Sequence, residues 1–200
     1  MDSHLHENTD EIVSFASEQL IVVDSDDGEV GYESKIICHE GQGILHRALS
    51  LFIFNGSGEL LIQRRSSQKL LWPSYWSNSC CSHPRRGETT DTAAHRRLEQ
   101  ELGLTSELRY LYKFQYQARF GDIGSEHELC WVYIGKSSDP VHINSHEISD
   151  WRYISPVRLN QEMAENPEVF TPWFKMEWKR LNRDYASELK KLNCGVQAVC

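Results

Sequence analysis

A chain of 200 residues, 40% hydrophobic and 25% charged, is long enough to bury a core without metal or disulfide staples, and none of its apolar runs approaches the ~18 residues of a membrane span. A formal charge of −8 excludes a generally basic nucleic-acid-binding surface, although local clusters of its 21 Lys and Arg could still hold a small anion. The six cysteines repeat at no framework spacing and follow no secretory or transit layout, so reduced thiols in a cytoplasmic protein are expected.

Residues 1–17, polar and acidic, are expected to be a flexible segment, residues 18–192 a single domain, and residues 193–200 a flexible tail whose GVQAVC ending is no prenylation box. LIVVD at 20–24 reads as a strand, and SDDGEV after it as a turn; Gly28 falls one place early for a calcium loop. LHRALSLFIFN, GSGE and LLIQRR follow as strand, glycine turn and strand, which predicts a hairpin. SYWSNSCCSH reads as another short strand. From 90 to 102 the period becomes helical, with Ala94, Leu98 and Leu102 at i, i+4 and i+8 and Gly103 as the stop. Strands return at LRYLYKFQYQA, ELCWVYIG and 151–154. Ser155-Pro156 opens a short helix, with Ser as cap and Pro in the first turn, and Thr171-Pro172 opens a longer one to about 192 by the same logic. Strands and helices mix without strict βαβ alternation, which predicts an α+β sandwich around a mixed sheet.

Side chains alternate along a strand. In NSCCSHP this puts Cys81 and His83 on one face and Cys80 on the other; in SEHELCW it pairs Glu126 with Glu128 and opposes His127. Two adjacent carboxylates repel, and a metal or a raised pKa is the usual remedy. His39 and His46 bracket a Gly-containing loop, CHEGQGILH. Together His39, His46, His83, Glu126 and Glu128 could form a nitrogen–oxygen site for a divalent ion with more than four ligands; taken singly, each histidine is an ordinary surface or core residue. In GETTDTAAHRRLEQELG, Glu88 precedes the helix, and Arg97 and Glu101 stand four apart on one face. That pair is either a solvated ion pair or part of a site where Glu101 helps hold Mg²⁺ on a diphosphate.

This stretch resembles the Nudix box, G-x5-E-x7-R-E-U-x-E-E-x-G-U. Glu88, Arg96, Leu98, Glu101 and Gly103 match it, Ser82 stands at the first Gly, and Arg97 and Gln100 replace two of its acids. Those acids hold the metals of Nudix hydrolases, so their loss argues against ordinary hydrolysis. Together with LHRALSLFIF, WPSYWSNSCCSHP, SEHE and TPWF, in that order over 20–183, the chain resembles type I isopentenyl diphosphate isomerases.

The resemblance implies a Nudix-type α/β/α sandwich and the conversion of isopentenyl to dimethylallyl diphosphate in isoprenoid biosynthesis. Moving an unactivated double bond requires a proton delivered on one face and another removed on the opposite face. By resemblance Cys81 and Glu128 are the acid/base pair, with Tyr116 beside the glutamate. Trp173 faces the carbocation. Lys35, Arg65, Lys69 and Arg97 meet the diphosphate, and Arg64 and Ser82 are further candidate contacts. His39, His46, His83, Glu126 and Glu128 are the implied ligands of one Mn²⁺ or Zn²⁺ (or Mg²⁺), with Glu101 near a second, diphosphate-bound Mg²⁺. Glu88 is either a box residue or a helix-start cap. The implied partner is this small substrate alone, with no nucleic acid, no membrane and a monomeric chain. The rivals are a Nudix hydrolase and a metal-stabilised binding domain.

Overall fold

Nearly every side chain of HRALSLFIF is apolar, and a strand apolar on both faces must sit between two layers. The computed structural model, which describes residues 11–193, places this segment as β3 (His46–Phe54), buried at every position except the partly covered Arg47. The flexible stretches expected at 1–10 and 194–200 lie outside the described residues. Along one edge of β3 runs β8 (Gly124–Lys136), parallel to it from His46↔Glu128 to Phe54↔Lys136, with β7 (Leu108–Phe120) antiparallel beyond. Three strands share the other edge in turn. β1 (Gln19–Val23) meets it at His46, β6 (Cys80–Ser82) at Leu49–Leu51, and β4 (Leu60–Arg65) at Phe54. β2 (Glu29–Ser34) flanks β1, while β5 (Trp76–Ser77) and β9 (Ile148–Ile154) flank β4.

Leu49, Leu51 and Ile53 on one face of β3 pack with Cys80, Tyr133 and the Ala93, Ala94, Leu98 and Leu102 stripe of α2 (Thr90–Leu102). Ala48, Phe52 and Phe54 on the other face join Cys130, Val132 and Ile134 against Trp173, Phe174, Trp178 and Leu181 of α4 (Pro172–Asp184). The result is the expected α/β/α sandwich around a mixed sheet. Thr89 caps α2 by accepting from the Thr92 amide, and Gly103 ends it at φ +64°. Ser155 caps α3 (Pro156–Glu165) through the Arg158 amide.

Several local expectations change under tertiary packing. The predicted β3–β4 hairpin is paired only at its tip, Phe54↔Leu60. Beyond it the strands splay, and Asn78 and Ser79 fill the gap. Ser79 Oγ accepts from the Ile53 amide at 2.8 Å and donates to the Leu61 carbonyl at 2.6 Å; Asn78 Nδ2 donates to the Leu51 carbonyl. SYWSNSCCSH is therefore two short strands, β5 and β6, around this wedge. Glu29 and Val30, taken as turn, begin β2, and α1 (Lys35–His39), a single turn capped by Ser34, leads into the loop that His39 and His46 bracket. The long C-terminal helix is two, α4 and α5 (Ala186–Asn193), parted at Tyr185. Thr171 does not cap α4 with its side chain, because its hydroxyl is engaged with Ser77 Oγ at 3.1 Å. Within 11–17, Val13 is buried and its carbonyl accepts from Arg97 and Arg85, while the Glu11 carbonyl accepts from Asn144.

Replacing Ser79, which is fully buried, leaves the Ile53 amide and the Leu61 carbonyl without partners. Ser79→Ala is expected to cost about 1–3 kcal/mol, read as a lower urea midpoint at an unchanged m-value.

Candidate functional site

The register His46↔Glu128 sets the site. It puts the His46 imidazole beside the Glu128 carboxylate, and strand alternation adds Glu126 on the same face. His127 points the other way, its Nδ1 near the Gly43 carbonyl and its Nε2 near Gln115. α1 delivers His39 from above. It can do so because residue 124 is glycine: a Cβ there would lie 2.5 Å from the His39 carbonyl. His83 follows directly on β6. One ligand atom from each of His39, His46, His83, Glu126 and Glu128 lies within 4.8 Å of all the others.

The hydrogen bonds fix how two of these imidazoles present themselves. His39 Nδ1 is 2.5 Å from the Lys35 carbonyl, and His46 Nδ1 is 2.8 Å from the Ile44 carbonyl. A carbonyl only accepts, so both Nδ1 atoms carry the proton and both Nε2 atoms face the cluster. His39 Nε2 meets Glu126 Oε2 at 2.7 Å; His46 Nε2 is fully buried with no hydrogen-bond partner. Burial pushes His46 down to about 4 and His83 well below the usual imidazole range, so neither holds a second proton at neutral pH. Burial pushes Glu128 upward and the Glu126 charge adds to it; Glu126 itself, despite burial, is held near 2 by His39. Three imidazole nitrogens and two facing carboxylates, with an orphaned nitrogen among them, fit a divalent cation.

Beyond the cluster Glu128 Oε2 accepts from the Tyr116 hydroxyl at 2.7 Å, and Glu128 Oε1 lies 3.1 Å from His83 Nε2. Cys81, on the strand at the opposite edge of β3, reaches the same cavity of about 320 Å³. Its Sγ donates to Asn78 Oδ1 at 2.8 Å and accepts from the Trp173 indole N–H at 3.2 Å. Burial pushes this thiol up, and Glu177 adds to the shift, so it is a neutral S–H. Cys80 faces away into the α2 side of the core.

The remainder of the cavity is cationic. Lys35, Arg65, Lys69 and Arg97 all line it, as do Trp173 and Tyr116. Lys35 donates to Ser14 Oγ, and burial, with Lys69 nearby, lowers it to about 8. Arg97 is buried and pairs with Glu101 at 2.6 Å and Glu147 at 3.2 Å; Lys69 pairs with Glu147. Arg65 donates to the Leu71 and Trp72 carbonyls and stands 5.3 Å from the centre of the Trp173 ring.

Other candidates lie elsewhere. Glu101 belongs neither to the five-ligand cluster nor to the cavity lining; it is buried behind Arg97. The Arg97–Glu101 pair is thus no solvated helix face. Glu88 grips Arg96 with both oxygens at 2.6 and 2.7 Å and accepts from the Arg85 amide, and the helix cap is its neighbour Thr89. Ser82 lines the cavity, whereas Arg64 donates to the Ser74 carbonyl. The sequence reading missed Asn78, Ser14 and Glu147. Asn78 stood in the quoted NSCCSHP string, three residues before Cys81; Glu147 sits in a polar loop whose pattern gives no signal.

Removing bound metal should leave two buried carboxylates facing each other. Chelation is expected to lower the melting temperature, and Mn²⁺ or Zn²⁺ to restore it, adding about 2.7 kcal/mol of stability at one hundred times the dissociation constant. Glu147 predicts an acid limb: although burial opposes it, Lys69 and Arg97 hold its carboxyl near 2, below the ordinary 4.5. A depressed folded-state pKa gives stability that is complete above 4.5 and lost as pH falls toward 2. Glu147→Gln should flatten the fall of the melting temperature across that window.

The NUDIX domain family matches residues 44–174. Isopentenyl-diphosphate Delta-isomerase 1 of Photorhabdus laumondii is 42% identical over 174 residues, covering 86% of this chain and 99% of its own. The isopentenyl-diphosphate Delta-isomerase of Serratia proteamaculans is 42% identical over 175 residues, covering 87% and 95%. Among solved structures, DR0079 from Deinococcus radiodurans superposes with a TM-score of 0.64 at 23% identity, covering 88% of this chain and 99% of its own, a likeness of fold alone. A chain so matched along nearly its whole length, with the NUDIX domain at its centre, belongs to the isopentenyl-diphosphate delta-isomerase family of Nudix proteins.

Proposed function

We propose that this protein isomerises isopentenyl diphosphate to dimethylallyl diphosphate, in isoprenoid biosynthesis, by protonation and deprotonation. The observation that carries the reading is the pairing, in one cavity, of a neutral thiol and a glutamate carried by strands on opposite edges of β3, beside four cationic side chains. One member of the Cys81/Glu128 pair delivers a proton to the terminal CH₂ of the substrate. The double-bond electrons form the new C–H bond, and the positive charge develops at the tertiary carbon. The other member removes a proton from the carbon on the diphosphate side, and that C–H pair becomes the new double bond. Over the whole reaction one proton enters, one leaves, and the diphosphate stays intact.

The Trp173 ring supports the transient cation by about 2 kcal/mol or more in a desolvated site. Its N–H also orients Cys81 Sγ, and the Tyr116 hydroxyl orients Glu128. Lys35, Arg65, Lys69 and Arg97 bind the diphosphate and hold the five-carbon unit against the acid/base pair. An Mn²⁺, Zn²⁺ or Mg²⁺ ion bound by His39, His46, His83, Glu126 and Glu128 would neutralise the two carboxylates and so set the proton affinity of Glu128. Mg²⁺ carried in on the diphosphate is the second proposed ion; Glu101, expected as its ligand, is instead paired with Arg97 behind the cavity wall. Hydrolysis is disfavoured by Arg97, which puts a paired cation where the Nudix box needs a metal-binding acid. No helix among the described residues is long and apolar enough to cross a membrane. A monomeric cytoplasmic enzyme completes the proposal.

Incubation of the metal-loaded protein with isopentenyl diphosphate and Mg²⁺ in D₂O, followed by proton and phosphorus NMR, tests it. Dimethylallyl diphosphate carrying deuterium is expected; inorganic phosphate would establish hydrolysis, and an unchanged spectrum a binding domain. Cys81→Ser and Glu128→Gln should each lower kcat about 10²–10⁴-fold with the fold intact by circular dichroism. Near-native turnover of Cys81→Ser would sink the two-residue scheme.

A further inference from the structure

A primary amide offers two N–H donors and an oxygen with two lone pairs, and burying it is costly unless they find partners. Asn78, between β5 and β6, is fully buried and uses all four. Its Nδ2 donates to the Leu51 and Cys80 carbonyls, both at 3.1 Å. Its Oδ1 accepts from the Ser77 hydroxyl at 3.1 Å and from the Cys81 thiol at 2.8 Å. Main-chain carbonyls only accept, so they fix which way the amide faces: nitrogen toward the strands, oxygen toward the sulfur.

The Ser77 proton is committed to Asn78, so that hydroxyl accepts from its other neighbours. The Thr171 hydroxyl donates to it at 3.1 Å, as does the Trp173 indole at 3.1 Å, which donates to Cys81 Sγ as well. One consistent set of hydrogens thus runs from the start of α4 through Ser77 and Asn78 to the thiol. The sulfur is held from two sides, giving its proton to Asn78 and accepting from Trp173.

The wedge that parts β3 from β4 does not need the Asn78 oxygen. The Nδ2 bond to Leu51 serves it, as does Ser79 through Ile53 and Leu61, with no bond from Ser79 to Cys81 among the described residues. A thiol left to itself rotates about its Cα–Cβ bond among three wells, whereas a group that exchanges a proton with a bound carbon must sit within close reach of it.

We propose that Asn78 is a positioning residue for Cys81: its amide oxygen, aimed by the Leu51 and Cys80 carbonyls, takes the S–H and holds Sγ in one rotamer at the cavity wall. Asn78 does not itself line the cavity and acts only through the sulfur. The inference rests on the role proposed for Cys81, and its test lets the two fail separately.

Asn78→Leu, Asn78→Asp and Ser79→Ala are compared with the parent as full-length, metal-loaded protein. Three quantities are measured: kcat and KM for isopentenyl diphosphate, the melting temperature, and the infrared S–H stretch of Cys81, assigned as the band that Cys81→Ser removes. Asn78→Leu is expected to lower kcat about tenfold, the worth of one hydrogen bond, with KM within about twofold. Its S–H band should move to higher frequency, as loss of an acceptor requires. Asn78→Asp, whose buried neutral carboxyl keeps an acceptor for the sulfur and one O–H for the carbonyls, should recover kcat to within about threefold of the parent and restore the band. Ser79→Ala loosens the same wedge, so it should lower the melting temperature and leave the band and kcat unchanged. Asn78→Ser, too short to reach the sulfur, replaces Leu if the latter does not fold. An unmoved band or full kcat in Asn78→Leu, or an equal loss of kcat in Ser79→Ala, would overturn the proposal. If the parent protein does not isomerise at all, the proposed function falls, and the infrared band still decides whether Asn78 holds the thiol.

Discussion

The parallel register of β8 against β3 is the constraint on which the rest of the molecule depends. One step of slip would turn Glu126 and Glu128 into the α2 layer and bring His127 into the cavity, because side chains alternate along a strand. In the observed register two carboxylates and a histidine meet in a largely buried space, where like charges repel strongly and a lone carboxylate is expensive. Everything around them answers that problem. Backbone carbonyls fix the tautomers of His39 and His46, the Tyr116 hydroxyl donates to one Glu128 oxygen, and the five ligand atoms lie within 4.8 Å of one another, close enough to share one ion.

The cavity next to this cluster is built on a second electrostatic contrast. A chain of net charge −8 turns Lys35, Arg65, Lys69 and Arg97 inward and pairs the last two with Glu147. These pairs hold the two cations in place, and under the proposed function a diphosphate would compete with the carboxylate for them. The N-terminal residues take part as well, with Ser14 on Lys35 and the Val13 carbonyl on Arg97. The cationic wall of the cavity draws on side chains far apart in sequence, and α2 contributes Arg97 where the Nudix box carries an acid.

Much of the fold was legible because its signals are local. The β3 run, the α2 period with its Gly103 stop, and the Ser155 cap each follow from neighbours a few residues away. Strand parity also separates Cys81 from Cys80 and Glu128 from His127. Failures came where two distant segments compete for one partner. The β3–β4 hairpin splays because β6, with Asn78 and Ser79, takes the edge of β3 that β4 would have used. Thr171 leaves its cap because Ser77 holds its hydroxyl.

The amino-acid sequence by itself determined the layers, the two faces of each strand and the residue types able to bind metal and move protons. Periodicity and side-chain chemistry are properties of a short window of chain, and they survive without knowledge of the fold. Only the tertiary structure decided which of these residues meet. It brought α1 over Gly124 so that His39 joins His83 and the two glutamates, and it withdrew Glu101 behind Arg97. It also set Glu147 among the cations. Those contacts span up to about a hundred residues. They are fixed by sheet register and the close packing of two layers, which no local pattern encodes.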